Sequence, residues 1–213
     1  MHTVVLFCGK AGSGKDTCFQ MLKKQLKNAD AFDLSNHAFG KPLKEIVSDV
    51  CQLFLNERFS VEEMEHLAYK ELERPEHTVF TMEQEPQPLI IRTLLQKIGT
   101  DIIRKQLGQD VFAKAIIGKI EHALRDSTLS GKRHISFITD LRFPNEQKCI
   151  QDFCHVNGYK CLTIYICRNG STLSSHSHSS ESYYDELHKD MIIHNDGTLD
   201  DLEKELLKVI NKL

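Results

Sequence analysis

Nine residues near the start of the chain restrict its fold more than any other feature. An apolar run, Thr3–Cys8, is followed at once by Gly9-Lys10-Ala11-Gly12-Ser13-Gly14-Lys15-Asp16-Thr17, and a helical pattern begins at Lys15. The spacing G-x-x-x-x-G-K between a strand and a helix is that of a phosphate-binding loop, a P-loop. The residue types follow from the task. Glycines let successive backbone N–H groups turn inward around a polyphosphate. The first turn of the following helix adds unpaired donors and a partial positive charge. Lys15 supplies a compact ammonium where a phosphoryl group would move. Directly after that lysine, where Ser or Thr usually holds Mg²⁺, stands Asp16, with Thr17 one place later. Both are hard oxygen donors, and the spacing leaves open which of them faces the metal.

Further short apolar runs recur along the chain, at Ala31–Leu34, Ile135–Thr139, Leu162–Cys167 and Met191–His194, each bounded by Gly, Asn, Asp or Lys. They read as buried strands of a parallel sheet. Between them lie helical periods. Residues 15–28 place Cys18, Phe19, Leu22 and Leu26 on one face, and residues 42–54 align Leu43, Ile46, Val47, Val50 and Phe54. Ser60-Val61-Glu62-Glu63 has capping-box spacing and predicts a helix start. Pro86 and Pro88 punctuate the chain before a long helix carrying Leu94, Leu95, Ile98, Ile102 and Ile103. Asp110 is placed to cap the next helix, and a last one repeats Leu199, Leu202, Leu206, Val209, Ile210 and Leu213. The pattern predicts an α/β chain, a three-layer doubly wound parallel sheet of about five strands with right-handed crossovers. Residues 36–133, almost wholly helical in pattern, exceed one crossover and read as an inserted lobe within a single domain, 1–213.

Composition narrows the function. A net charge of −3 and a pI near 6.4 supply no basic field for a nucleic-acid backbone, so an anionic ligand needs a local cluster of Lys and Arg. Seven cysteines at 8, 18, 51, 149, 154, 161 and 167 form no C-x-x-C pair. No apolar stretch approaches the roughly 20 residues of a membrane span, and no basic region precedes the first apolar run. The expectation is a cytoplasmic protein with no nucleic-acid or membrane partner, whose cysteines serve as small core hydrophobes.

A second site ends the strand Ile135–Thr139. Asp140 closes it at the carboxyl edge of the sheet, where ligands bind, and is placed to hold Mg²⁺ or its waters. Arg142, two residues on, can meet phosphate with a bidentate fork. Lys44 falls one turn into its helix, and Arg92, Gln96 and Gly99 share one helical stripe at i, i+4 and i+7.

In order along the chain, Gly9–Thr17, Phe39-Gly40-Lys41-Pro42-Leu43-Lys44, Arg92–Gln96, Gly99-Thr100-Asp101, Asp140-Leu141-Arg142-Phe143-Pro144-Asn145-Glu146, His178–Glu181 and Asn195-Asp196-Gly197 form one set. That set resembles the phage-type deoxynucleoside monophosphate kinases, with the animal phosphomevalonate kinases as near relatives. The resemblance covers about half the chain; residues 52–88 match nothing in it. It implies ATP on Lys10, Ala11, Gly12, Ser13, Gly14, Lys15, Asp16, Thr17 and Arg168, with Mg²⁺ near Asp16, Thr17 and Asp140. Catalysis would fall to Lys15, Asp140 and Arg142. Around a small phosphorylated acceptor it sets Lys44, Arg92, Gln96, Gly99, Thr100, Asp101, Phe112, Arg142 and Glu146. Residues 169–190 would form a lid-like loop and 36–133 the acceptor-binding lobe, in a monomer or homodimer.

The reaction so implied moves the terminal phosphoryl group of ATP to a nucleoside monophosphate, giving a diphosphate and ADP. An acceptor phosphate is already anionic at neutral pH, so no general base is needed and catalysis is screening and alignment. The alternatives are a phosphomevalonate kinase with the same core chemistry, and a regulatory ATP-binding protein that transfers nothing. A nucleoside kinase would need a carboxylate base, for which only Asp33 offers itself.

Overall fold

The computed structural model describes residues 2–28, 31–70, 73–80, 86–127, 131–169 and 183–213, with 28, 69–70, 73–80 and 86–89 as backbone alone. Five strands, β1 (Thr3–Cys8), β2 (Phe32–His37), β5 (Arg133–Leu141), β6 (Lys160–Cys167) and β7 (Met191–His194), form one sheet in the order β2-β5-β1-β6-β7. Every neighbouring pair is parallel. All the β1 side chains are buried, which is why the strand reads as an unbroken apolar run and not as an alternation.

Helix α1 (Lys15–Asn28) links β1 to β2 in one direction along the sheet. Helix α6 (Pro144–Val156) links β5 to β6 in the other. Right-handed crossovers therefore put α1 and α6 on opposite faces. The α1 face packs Val5, Phe7, Ile135, Phe137, Ile164 and Ile166 against Cys18, Phe19, Leu22 and Leu26 of α1 and against Leu202, Leu206 and Val209 of α7 (Leu199–Ile210). The alternation of the pleat turns Val4, Leu6 and Ile138 to the other face, where they too are fully buried.

The chain divides into two compact units, Met1–Phe39 with Ala113–Leu213, and Gly40–Phe112. The second is narrower than 36–133, because β2 runs on to His37 and nearly all of α5 (Val111–Ser127) belongs with the sheet. It also contains a two-stranded antiparallel hairpin, β3 (Glu73–Phe80) with β4 (Pro86–Ile90). An almost wholly helical lobe is thus corrected by β4, whose prolines sit in a strand that pairs, among the described residues, with β3 alone. The core of this unit packs Val47 and Cys51 of α2 (Gly40–Leu55), Met64 and Leu67 of α3 (Val61–Lys70), Phe59, and Ile91 of α4 (Ile91–Gln96). The long helix expected after Pro88 is α4 followed by a π-helix, Lys97–Leu107, that stops at Gly108 with φ +118°. Among the described residues no helix is long and apolar enough to cross a membrane. All seven cysteines are free, and Cys8, Cys18, Cys51 and Cys154 are buried as expected.

Candidate active site

The phosphate loop grows out of β1 at the carboxyl edge of the sheet. Gly9, Gly12 and Gly14 have φ of +145°, +74° and +94°, the region open to glycine. At two of them space is as tight as conformation. A Cβ on Gly9 would lie 2.4 Å from the Ile166 carbonyl oxygen, and one on Gly14 would lie 2.3 Å from Nδ2 of Asn195. Inside the loop the Ser13 N–H donates to the Lys10 carbonyl at 3.1 Å, and the Cys18 N–H opens the α1 ladder on the Gly14 carbonyl at 2.9 Å. The Ser13 hydroxyl is buried without a partner in the loop, a polar atom available to a ligand that enters there.

Lys15 folds back across this loop, its Nζ donating to the carbonyls of Gly9 at 2.7 Å and Lys10 at 2.9 Å. Burial above all, and then the positive charge of Arg142, lowers its pKa, against the opposing pull of the Asp16 and Asp140 carboxylates. Three of the expected residues, Asp16, Asp140 and Arg142, thus bear on the charge of a fourth, Lys15. Cys8, just before the loop, stays a neutral thiol because burial pushes it up to about 12 despite Lys189 and Lys15 nearby.

Asp140 lies one residue from the end of β5, and its Oδ1 accepts the Phe39 N–H at 2.7 Å, tying the ends of β5 and β2 together. Arg142 is exposed in the turn that follows. That turn is shaped by Glu146, 1% exposed, whose Oε2 accepts the N–H groups of Arg142 at 3.3 Å and Phe143 at 3.2 Å. Glu146 therefore caps α6 with Pro144 in its first turn. The sequence had suggested an acceptor contact there; the structure shows a carboxylate occupied with shaping the Arg142 turn.

Lys10 is half-buried, and Ala11, Gly12, Asp16 and Thr17 are exposed around the loop and first helical turn. Arg168 is exposed just past β6. The oxygen donors Asp16, Thr17 and Asp140 suit Mg²⁺, a hard cation. Among the described residues no preformed group of three or more His, Cys, Asp or Glu could hold a metal. Mg²⁺ keeps waters and takes phosphate oxygens as ligands, so a few protein oxygens are enough to hold it.

The remaining expected acceptor residues lie in the second unit. Lys44 pairs with Glu65 at 2.9 Å, and Asp101 with Lys105 at 2.7 Å. Arg92, Gln96 and Thr100 are half-buried. Arg92 and Gln96 fall within α4, but Gly99 lies in the π-helix, whose i→i+5 closure removes the common stripe assumed for all three. Gly99 is buried, and a Cβ there would sit 2.6 Å from Cδ2 of Leu43. Its missing side chain makes room for Leu43. Phe112 is buried, and the Arg104 guanidinium stands 5.1 Å over its ring. Of the lid-like loop 169–190, only 169 and 183–190 are among the described residues; His178–Glu181 falls outside them.

Sequence reasoning assigned no role to Asn195, Asp196 or Gln147. Asn195 is buried, its Nδ2 donating to the Ser13 carbonyl at 2.9 Å. Gln147 donates to Thr163 Oγ1 at 2.9 Å and the His188 carbonyl at 2.7 Å, and accepts the His188 N–H at 3.0 Å. Asn195-Asp196-Gly197 belonged to the set that carries the resemblance, but nothing in the sequence assigned that piece a contact to make.

A model of the family "deoxynucleotide monophosphate kinase" matches residues 23–206. The phosphate loop precedes that stretch and stands on its own spacing and geometry. No curated protein matches the sequence. Among solved structures, the Mycobacterium tuberculosis APS kinase CysC in complex with AMPPNP and APS is similar at 11% identity and TM-score 0.44, covering 99% of this chain and 96% of that one. The dephospho-CoA kinase from Campylobacter jejuni is similar at 15% identity and TM-score 0.41, covering 99% and 97%. Scores this low add no argument to the family match.

Proposed function

Since the chain belongs to the deoxynucleotide monophosphate kinase family, we propose that it transfers the terminal phosphoryl group of ATP to a deoxynucleoside monophosphate, giving the diphosphate and ADP. The observation that carries this reading is Lys15 folded back over a three-glycine loop, its Nζ on the Gly9 and Lys10 carbonyls, with Asp140 and Arg142 at the end of the neighbouring strand β5.

Each residue has a task there. The loop amides and the α1 N-terminus receive the polyphosphate of ATP. Lys15 exchanges its carbonyl partners on Gly9 and Lys10 for phosphate oxygens, so its charge reaches the group in flight. Arg142 presents a planar fork to the acceptor phosphate and screens one anion from the other. Asp140, with Asp16 or Thr17, would hold Mg²⁺, which would neutralise charge on the phosphates. The attacking phosphate oxygen is anionic, and no base is required. Arg168 is assigned to ATP, and Lys44, Arg92, Gln96, Thr100 and Asp101 to the acceptor; Gly99, Phe112 and Glu146 act through packing or the turn.

The test is ADP release from Mg-ATP with dGMP, dTMP, dCMP, dAMP, their ribose forms and phosphomevalonate. Stimulation by a deoxynucleotide is expected, and Arg142→Lys should lower kcat by about 10²–10³-fold through loss of the fork. Stimulation by phosphomevalonate alone, or by nothing, would sink the reading.

A further inference from the structure

The end of β7 does more than finish the sheet. The backbone N–H of Asn195 donates to the Cys167 carbonyl at 2.8 Å, prolonging the ladder by which Cys167 pairs with His194. Its side chain leaves that ladder for the phosphate loop, donating to the Ser13 carbonyl and filling the space a Cβ on Gly14 would need. The next residue, Asp196, accepts from Asn169 twice, Oδ1 from the backbone N–H at 2.5 Å and Oδ2 from Nδ2 at 3.0 Å. Both neighbours of Arg168 are therefore held by this dipeptide, Cys167 through Asn195 and Asn169 through Asp196. The first glycine of the loop rests on β6 as well, close against the Ile166 carbonyl. The phosphate loop and Arg168, which both meet ATP in the reading above, thus share one short support.

We propose that Asn195 and Asp196 form a positioning clamp that keeps the phosphate loop and Arg168 in fixed register with each other. Neither residue touches the reacting atoms. The clamp sets where the Ser13–Gly14 peptide points, and it sets where the Arg168 guanidinium starts from. Asn suits the first position because a short amide can donate sideways while its backbone stays in the ladder. Asp suits the second because one carboxylate accepts two N–H groups from a single residue. The inference rests on the ATP reading of the loop, and its test is chosen so that the two can fail separately.

The experiment compares the full chain with Asn195→Asp, which keeps the shape but removes the donor, and with Asp196→Asn, which removes the charge from an exposed pair. Loss of the Ser13 bond is expected to raise KM for ATP by about tenfold, since a buried carbonyl loses its donor. KM for the monophosphate should stay within about twofold, the scatter of distant sites. The distinguishing readout is a cycle with Arg168→Ala. The ATP penalty of either clamp variant should shrink once the arginine is gone, because part of it acts through that side chain. In parallel, amide hydrogen exchange without nucleotide should rise across residues 9–18 in Asn195→Asp and at Asn169 in Asp196→Asn. An unchanged KM for ATP in the folded variants, or penalties that add fully with Arg168→Ala, would overturn the clamp. A wild-type chain with no turnover would fail the kinase reading alone. Exchange would then decide the clamp, and unchanged exchange across 9–18 in Asn195→Asp would overturn it.

Discussion

Glycines in this chain are not interchangeable, and Gly14 and Gly118 show the two extremes. Gly14 holds φ +94° with the Asn195 amide 2.3 Å from the site of an added Cβ. Gly118 lies within α5 with open space around it. Gly14→Ala should cut ATP-dependent turnover by about 10²-fold, as a displaced phosphate loop misplaces its ligand. Gly118→Ala should raise stability by about 0.5–1 kcal/mol, read from urea midpoints, with turnover unchanged. A second pair of residues sets the pH response. His2 and His134 are buried side by side, rings 5.1 Å apart, with His2 Nδ1 on the His134 carbonyl at 2.9 Å. Burial first, then the neighbouring imidazole, pushes His2 down to about 4, and burial lowers His134 as well. The folded chain therefore binds these protons less readily than the unfolded chain, whose histidines titrate near 6.5. Stability is full above that pH and falls as pH drops through 6.5 towards 4, by about 3 kcal/mol for His2. His2→Phe should flatten the difference between urea unfolding at pH 7.5 and at about pH 4.5; an unchanged difference would contradict the account.

The same contrast between local cause and tertiary setting appears among the elements. Helix α3 starts with a reciprocal cap, the Ser60 N–H donating to Glu63 Oε2 at 2.8 Å and the Glu63 N–H to Ser60 Oγ at 3.1 Å. Ser60→Ala should cost about 1 kcal/mol in urea unfolding, and a neutral result would mean that packing alone sets this helix start. The box was visible in the sequence, as were β1, β7 and α1 to their end residues, because strong apolar patterns and glycine boundaries agree there. Helix α6 was not foreseen. Phe143-Pro144-Asn145-Glu146 reads as a turn, yet Pro in the first helical turn and Glu at the third position are also start signals. The π-helix escaped for a different reason. Apolar spacing of three and four implies an α-helix, and nothing local marks where the closure widens to i+5. In the candidate site, Lys15 was legible from the glycine spacing between β1 and α1, and Asp140 and Arg142 from their place at the end of β5. Asn195 acts on Ser13 from 182 residues away, and spacing alone does not record that approach.

For the molecule as a whole, the sheet order β2-β5-β1-β6-β7 matters because it brings three strand ends to the phosphate loop. Two are the neighbours of β1, carrying Asp140 and Arg142 on one side and Arg168 on the other; the third is Asn195 after β7. A net charge of −3 supplies no general attraction for two phosphorylated ligands, so on the proposed reading Lys15, Arg142 and Arg168 supply the positive charge at that edge. ATP labelled on its terminal phosphoryl group, incubated with Mg²⁺, the full chain and each deoxynucleoside monophosphate, tests the claim most directly once the products are separated. The account predicts that label leaves ATP for a deoxynucleoside diphosphate, and that Lys15→Met abolishes the transfer without unfolding the chain. Label that stays on ATP with every acceptor, or leaves it only as inorganic phosphate, would contradict it.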